Sequence, residues 1–295
     1  MSAPLIPYID IEPLRLLGPQ TFELFGKAIS IPELSIKPFG ALVALGVWLG
    51  SEAAKRSAKR VGMNLEILGS FVVAVLVGGF VGGHVFDTLF YYPERALRDP
   101  LSLLRIWDGQ SSFGGFLGAI LGALYWKVKH RQKILAYADI VASSFPLGWV
   151  FGRMGCSVAH DHPGRLSDAW FAVQYPGGGR FDLGLYEMLL TIPLAIAFWI
   201  LAKNPRKPGF YIGVMCTAYA PVRFLLDFMR VQPGDVLPAD ARYAALTPAQ
   251  WGSMALLGIG LYFLRHAAKS PETTDRLLAS SSPKLDEAEA GATSA

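Results

Sequence analysis

The chain has 295 residues, 52% of them hydrophobic and 17% charged, with a mean hydropathy of +0.36. A soluble domain carries about 25% charged residues, so the composition describes a polytopic membrane protein rather than a soluble enzyme with one anchor. The net charge of +4 sits mostly in short loops between apolar runs and does not point to nucleic acid, and two cysteines imply no disulfide framework.

Residues 1–38 read as an amphipathic, proline-punctuated segment on the outer side. MSAPLIPYIDIEP lacks the basic start and early apolar core of a cleavable signal. Apolar runs of about 20 residues, the length that spans a hydrocarbon core, then predict seven transmembrane helices. They fall near 39–54, 64–92, 112–128, 136–155, 184–202, 209–229 and 248–265. The expected fold class is an all-α polytopic membrane protein whose seven-helix domain covers 39–268. The polar tail over 269–295 is expected to be disordered and cytoplasmic. KRSAKR (55–60), KVKHRQK (127–133), KNPRK (203–207) and RHAAK (265–269) fall at alternate connections. The positive-inside rule therefore predicts an outer N-terminus and a cytoplasmic C-terminus.

Two arginines interrupt this apolar chain: Arg153 in FPLGWVFGRMG and Arg223 in AYAPVRFLLDFMR. A charge at membrane depth costs roughly 2.5–3.5 kcal/mol on insertion scales, and a guanidinium is best matched by a carboxylate or a phosphate. Arg153 lies near the outer end of the fourth predicted span. Arg223 lies about 21 Å along the sixth, counted from Gly209 at 1.5 Å per residue. His84, Asp87, Tyr91, Tyr186, Glu187, Asp227 and Arg230 share that outer level, so a polar chamber facing outward is expected. Tyr219, Arg223 and Asp227 are four apart and form one helical stripe. Asp227 then holds Arg223, and Tyr219 donates to a shared ligand. The alternative is an internal Arg–Asp pair that only ties helices together. Arg153 has no carboxylate one turn away except Asp161 beyond the helix end, which favours an external anion for it. The glycines of VGGFVGGHVF and SSFGGFLGAILGA fit close helix packing. Gly114 and Gly115, at a span start, would also admit a ligand to the backbone.

WDGQSSFGGFLGA, GRMGCSVAHDHPGR, LYE and AYAPVRFLLDFMR, in this order, resemble the landmarks of the bacterial prolipoprotein diacylglyceryl transferases. The resemblance covers roughly residues 36–266. It implies a monomeric inner-membrane enzyme acting at the periplasmic side, with phosphatidylglycerol and a prolipoprotein lipobox peptide as partners. The diacylglyceryl group passes to the lipobox cysteine thiol, and glycerol 1-phosphate leaves. By this resemblance Arg153 matches the arginine of a GR-x-G-N signature, with Gly155, Gly164 and Arg165 in step. Tyr219, Arg223, Asp227 and Arg230 match a second stripe, Asp standing for the usual Glu. Tyr186 and Glu187 match the LYE, and Gln250 the glutamine that opens the last span. The departures are specific. The family's His-Gly-Gly, whose histidine is proposed as the base, reads Gly114-Gly115-Phe116 here. Cys156 stands at the signature's asparagine, Ala159 at a later asparagine and Asp161 at an acidic position. The first-span Tyr-Gly is Phe39-Gly40, and the second-span Gly-Gly-Arg is Gly82-Gly83-His84.

Displacing a phosphate ester from carbon by a thiol needs a stabilised leaving phosphate, a deprotonated thiol and excluded water. The expected catalytic set is Arg153, Arg223, His160 and Asp161. His160, beside Asp161, replaces the missing histidine, unless HDHPG is an ordinary polar turn; His84 competes for the role. The expected binding set is Tyr219, Asp227, Arg230, Glu187, Tyr186, Gly114, Gly115, Gly155, Gly164 and His84. Cys156 is expected to be a small buried hydrophobe. No metal or cofactor is expected, because His84, His160 and His162 are dispersed and local cysteine pairs are missing. The alternative function is a non-catalytic phospholipid-binding protein or an anion transporter using the same chamber. The polar residues gather toward one side and no inverted repeat is evident, which favours the transferase. Haem is more distant still, for want of an axial histidine pair.

Overall fold

The computed structural model describes residues 6–24, 27–31, 33–91, 93–105, 109–237, 239 and 242–279. In chain order, five short strands come first: β1 (Ile6–Pro7), β2 (Leu14–Leu17), β3 (Gln20–Leu24), β4 (Lys27–Ile31) and β5 (Leu34–Ile36). Helix α1 (Pro38–Arg60) leads to α2 (Leu65–Phe86), which runs into a π turn over Asp87–Tyr91. A short α3 (Pro93–Arg98) and a 3-10 turn (Pro100–Leu104) precede α4 (Ser112–His130) and α5 (Ile134–Ala159). Strands β6 (Pro163–Leu166), β7 (Val173–Tyr175) and β8 (Gly178–Asp182) are followed by α6 (Leu183–Leu201). Then come α7 (Phe210–Leu226), a 3-10 turn over Asp227–Met229, α8 (Pro248–Lys269) and the short α9 (Thr274–Ala279).

The long helices coincide with the seven predicted apolar runs. Four segments are both long and apolar enough to cross a membrane: Leu65–Leu89, Ile134–Ala159, Leu183–Leu201 and Phe210–Met229. Their outward faces are apolar, as Val73, Val77, Ile196 and Trp199 illustrate, which suits contact with lipid tails. The all-α expectation needs correction, because the first segment and the connection after α5 are built from strands. The tail also departs from expectation at its start. Thr274–Ala279 is helical, and the Thr274 hydroxyl donates to the Arg206 carbonyl at 2.9 Å. Residues 280–295, Trp107, Asp108 and the Tyr91 side chain lie outside what is described.

The chain divides into two compact units. The first comprises Met1–Ala54, Asp139–Lys203 and Gly209–Ala267. Its four-stranded sheet has the order β1-β7-β8-β6, with β1 parallel to β7 and the remaining pairs antiparallel. Pro176 and Gly177 turn β7 into β8, and the positive φ of Gly177 (93°) is the conformation such a turn assigns to glycine. Asp182 ends β8 and caps α6, accepting the Leu185 amide at 2.9 Å. Helix α7 begins after Gly209, which has no side chain to cap it. Asp139 from α5 does this instead, accepting the Ile212 amide at 2.9 Å.

The second unit comprises Lys55–Ala138, Asn204–Pro208 and Ala268–Ala295. Here α2 packs on α4 through glycines. A Cβ on Gly82 would lie 2.6 Å from the Gly118 Cα, and one on Gly114 would run into Phe86. Close packing therefore accounts for Gly114, while Gly115 has room, its nearest neighbour being the Gly79 carbonyl at 3.6 Å. His84 is buried in the same unit. Its Nε2 lies 3.1 Å from the Ser102 carbonyl and its Nδ1 3.4 Å from the Gly109 carbonyl.

Candidate active site

The first unit gathers charge from three helices around one carboxylate. Glu187, in the first turns of α6, is 1% exposed. Its Oε2 lies 2.9 Å from Arg153 Nε on α5, and its Oε1 lies 3.5 Å from Arg223 Nε on α7. Tyr219, one turn before Arg223, donates its hydroxyl to Glu187 Oε2 at 2.6 Å. Arg153 also reaches Tyr219 with its Nη2 at 3.5 Å and lies 4.5 Å over the Trp149 ring, a cation–π contact. The carboxylate beside Arg153 is thus one of the protein's own, although its own helix offers none one turn away. Its partner stands on another helix, where sequence spacing cannot place it. The Arg153 Nε–H is nonetheless not directed at the carboxylate and makes no hydrogen bond.

The α7 stripe forms as expected. Arg223 Nη1 donates to Asp227 Oδ1 at 2.5 Å, and Arg230 Nε lies 3.9 Å from the same oxygen. Asp227 is fully buried and also accepts from the Thr247 hydroxyl. Gln250, equally buried, holds that corner. It accepts the Thr247 amide at 3.0 Å and donates to the Phe224 carbonyl at 3.3 Å. Three guanidiniums (Arg153, Arg223, Arg230) therefore lie around two carboxylates (Glu187, Asp227). Guanidiniums held in this way suit an anionic ligand.

The glycines of the motif serve approach. A Cβ on Gly155 would meet Phe39 at 3.1 Å. Gly164 bridges backbone to backbone with Arg230, and a Cβ there would meet the Met229 carbonyl at 2.5 Å. Tyr186 is turned to the outer connection, its hydroxyl donating to the Phe171 carbonyl at 2.7 Å rather than joining the arginines.

His160 is bound up in the sheet. Its Nδ1 lies 2.9 Å from Asp182 Oδ2, its Nε2 lies 3.1 Å from the Ile9 carbonyl, and its ring stacks on Tyr8 with centroids 3.9 Å apart. Both ring nitrogens thus face oxygen acceptors. Its neighbour Asp161 pairs instead with His162. Asp182 also accepts the Tyr175 hydroxyl at 2.9 Å. Burial first, then that carboxylate, raises the Tyr175 pKa above the ordinary phenol range.

Asp161 hydrogen-bonds His162 Nδ1 and raises this imidazole to about 9, with Cys156 adding to the effect. Cys156 is 9% exposed, and its Sγ lies 3.9 Å from Arg153 Nη1. Cys156 is thus buried as expected, with Arg153 and His162 as polar neighbours of its sulfur.

Sequence reasoning missed Asp182, Arg180 and Asp235. Arg180 is buried and forks onto Asp235 through bonds of 2.7 and 3.1 Å, and its Nη1 also donates to the Gly164 carbonyl at 3.0 Å. Its hydrogen bonds hold the Asp235 carboxyl below its usual range. An aspartate placed directly before an apolar run, as Asp182 is, carries a helix-cap signal that was available.

The sequence profile of the family described as prolipoprotein diacylglyceryl transferase matches residues 27–265. A phosphatidylglycerol--prolipoprotein diacylglyceryl transferase of Chromohalobacter salexigens is 32% identical over 235 residues, covering 77% of this chain and 82% of that protein. The protein of the same name from Vibrio parahaemolyticus is 32% identical over 251 residues, covering 82% and 90%. Arginines drawn from two helices onto one buried glutamate thus stand in a chain that belongs to the prolipoprotein diacylglyceryl transferase family.

Proposed function

We infer that this chain transfers the diacylglyceryl group of phosphatidylglycerol to the lipobox cysteine thiol of a prolipoprotein, releasing glycerol 1-phosphate. The observation that carries the reading is the pair Arg153 and Arg223, two guanidiniums from different helices fixed on one buried carboxylate, Glu187. A phosphatidylglycerol headgroup carries one negative charge, which guanidiniums match by bidentate hydrogen bonds. As the carbon–oxygen bond breaks, the leaving phosphate gains a second negative charge. Guanidiniums already fixed by Glu187 and Asp227 then bind the transition state more tightly than the substrate. Tyr219 and Glu187 hold the fork in place. Arg230 and the Gly164 backbone bring the outer connection against it.

In this reading the chain crosses the bacterial inner membrane seven times and works as a single polypeptide, with the cluster toward the periplasmic side. The support is the coincidence of long helices with apolar runs, and the basic loops at alternate connections. Reconstitution with phosphatidylglycerol and a lipobox peptide tests the function. Release of glycerol 1-phosphate with a diacylglyceryl mass gain on the peptide is the expected result. Retained lipid without release would establish a lipid-binding protein instead.

A further inference from the structure

The second unit carries an apolar groove of its own. It follows the seam of α2 and α4 from Ser70 to Val85 and has a volume of about 760 Å³. Gly78 and Gly118 form its floor, since a Cβ on either would strike the other's backbone. Val73, Val77 and Val81, one turn apart on α2, form one wall, and Tyr125 of α4 stands in the other. One end is polar. There Trp126 donates its indole N–H to Ser70 Oγ at 2.8 Å, and His130 Nε2 lies 3.5 Å from the same oxygen. Lys129 folds back over the Tyr125 ring, its Nζ 5.9 Å from the centroid, and pairs with no carboxylate among the described residues. From this juxtaposition we propose that the groove binds one acyl chain of an anionic phospholipid whose headgroup phosphate rests on Lys129 and His130.

The dimensions suit a lipid chain. From Ser70 to Val85 the α2 side of the groove measures about 22 Å at 1.5 Å per residue. An acyl chain that reaches the bilayer midplane needs about 15 Å, half of a hydrocarbon core. On the topology proposed above, the polar end lies at the cytoplasmic surface, so the lipid belongs to the inner leaflet. Valine side chains are stiff at χ1, which keeps the wall in shape without the ligand.

Charge selects the occupant. At the polar end Lys127, Lys129, Arg131 and Lys133 outnumber Glu66, the exposed carboxylate one turn before Ser70. A lysine at the membrane surface favours an anionic headgroup by about fivefold in affinity. A signal helix would bring its own positively charged start to the same surface, where Lys129 would oppose it. A second copy, related by a two-fold axis along the membrane normal, would set Lys129 against Lys129. The Lys129 stem lies along apolar surface with its ammonium at the edge, the posture in which a lysine meets a phosphate at the hydrocarbon boundary.

The test is native mass spectrometry of the delipidated full chain, with dioleoyl phosphatidylserine and dioleoyl phosphatidylcholine as probes. One phosphatidylserine should bind at a concentration about fivefold lower than phosphatidylcholine requires. Lys129→Glu should abolish that preference, with Lys129→Gln intermediate, and Val77→Trp should remove the adduct by filling the groove. Circular dichroism and gel filtration confirm that each variant is folded. Equal binding of the two lipids overturns the proposal. So does a preference that survives Lys129→Glu, which would belong to other cationic side chains, or an adduct that survives Val77→Trp. A dimer that Val77→Trp dissociates would assign the groove to a second copy. A synthetic signal helix that binds the parent but not Val77→Trp would assign it to a peptide, and either result overturns the lipid site.

Discussion

Glu187→Gln is the sharpest perturbation of the arginine cluster. The substitution keeps the shape and an oxygen acceptor for Tyr219, but removes the charge between Arg153 at 2.9 Å and Arg223 at 3.5 Å. With an effective dielectric of about 20, these attractions are worth about 6 and about 5 kcal/mol before desolvation is counted. Loss of one partner from a buried ion pair costs about 3–5 kcal/mol net, because the remaining charges stay enclosed. The side chains of Arg153 and Arg223 are only 14% and 16% exposed, so solvent screening reduces this little. Taking about 3 kcal/mol, and a sensitivity of about 2–4 °C per kcal/mol for a chain of this size, the melting temperature should fall by about 6–12 °C. Intrinsic fluorescence during heating in detergent measures this, alongside transfer to a lipobox peptide, which should fall in parallel. An unchanged melting temperature with normal transfer would refute the reasoning, since it would mean that Glu187 does not hold the two guanidiniums.

Other substitutions separate the parts. Arg223→Lys keeps the charge but loses the planar fork, and transfer should drop by about 10²–10³ if the fork stabilises the leaving phosphate; steady-state rates at saturating lipid would reveal it. His160→Leu removes one of two partners of the buried Asp182 Oδ2, the Tyr175 hydroxyl remaining, and should cost about 1.5–3 kcal/mol of stability, the net worth of a hydrogen bond to a charged group. Its transfer rate per folded molecule should stay near the parent's, and a collapse of that rate would restore His160 as the base. Gly82→Leu places a side chain where the Gly118 backbone stands, so α2 and α4 should separate and yield in the membrane should fall, as detergent gel filtration would report. Asp235 has its pKa depressed by Arg180, so its contribution is present above the ordinary carboxylate value of about 4 and is lost as pH falls through the lower folded value. Melting curves of the parent and Asp235→Asn should therefore differ at neutral pH and converge in acid; a constant gap would contradict the pairing.

The helices were legible because apolar runs of membrane length and alternating basic loops are local signals. The strands were not. β1 has two residues and meets a partner at Val173 and Gln174, a pairing with no local periodicity. The Tyr219–Arg223–Asp227 stripe was readable because its members share one helix. The partner of Arg153 was hidden by the same logic, since Glu187 is adjacent only once α5 and α6 are packed. A carboxylate inside an apolar run was itself a signal that such a cation existed. At HDHPG the sequence suggested His160 with its neighbour Asp161. The positive φ of His160 (50°) instead marks a chain reversal there, and the ring meets Asp182 while Asp161 meets His162.

The bond between His160 and the Ile9 carbonyl spans 151 residues, and β1 finds its partner only in β7. During synthesis the first segment therefore emerges long before the strand that receives it. On the topology proposed above, it crosses to the outer face and waits there while four long helices, α1, α2, α4 and α5, are inserted behind it. The sheet closes only after β8 has followed α5 outward. A cargo fused close to β1 that slowed its crossing would thus delay an event at residues 160–182, far downstream in the chain.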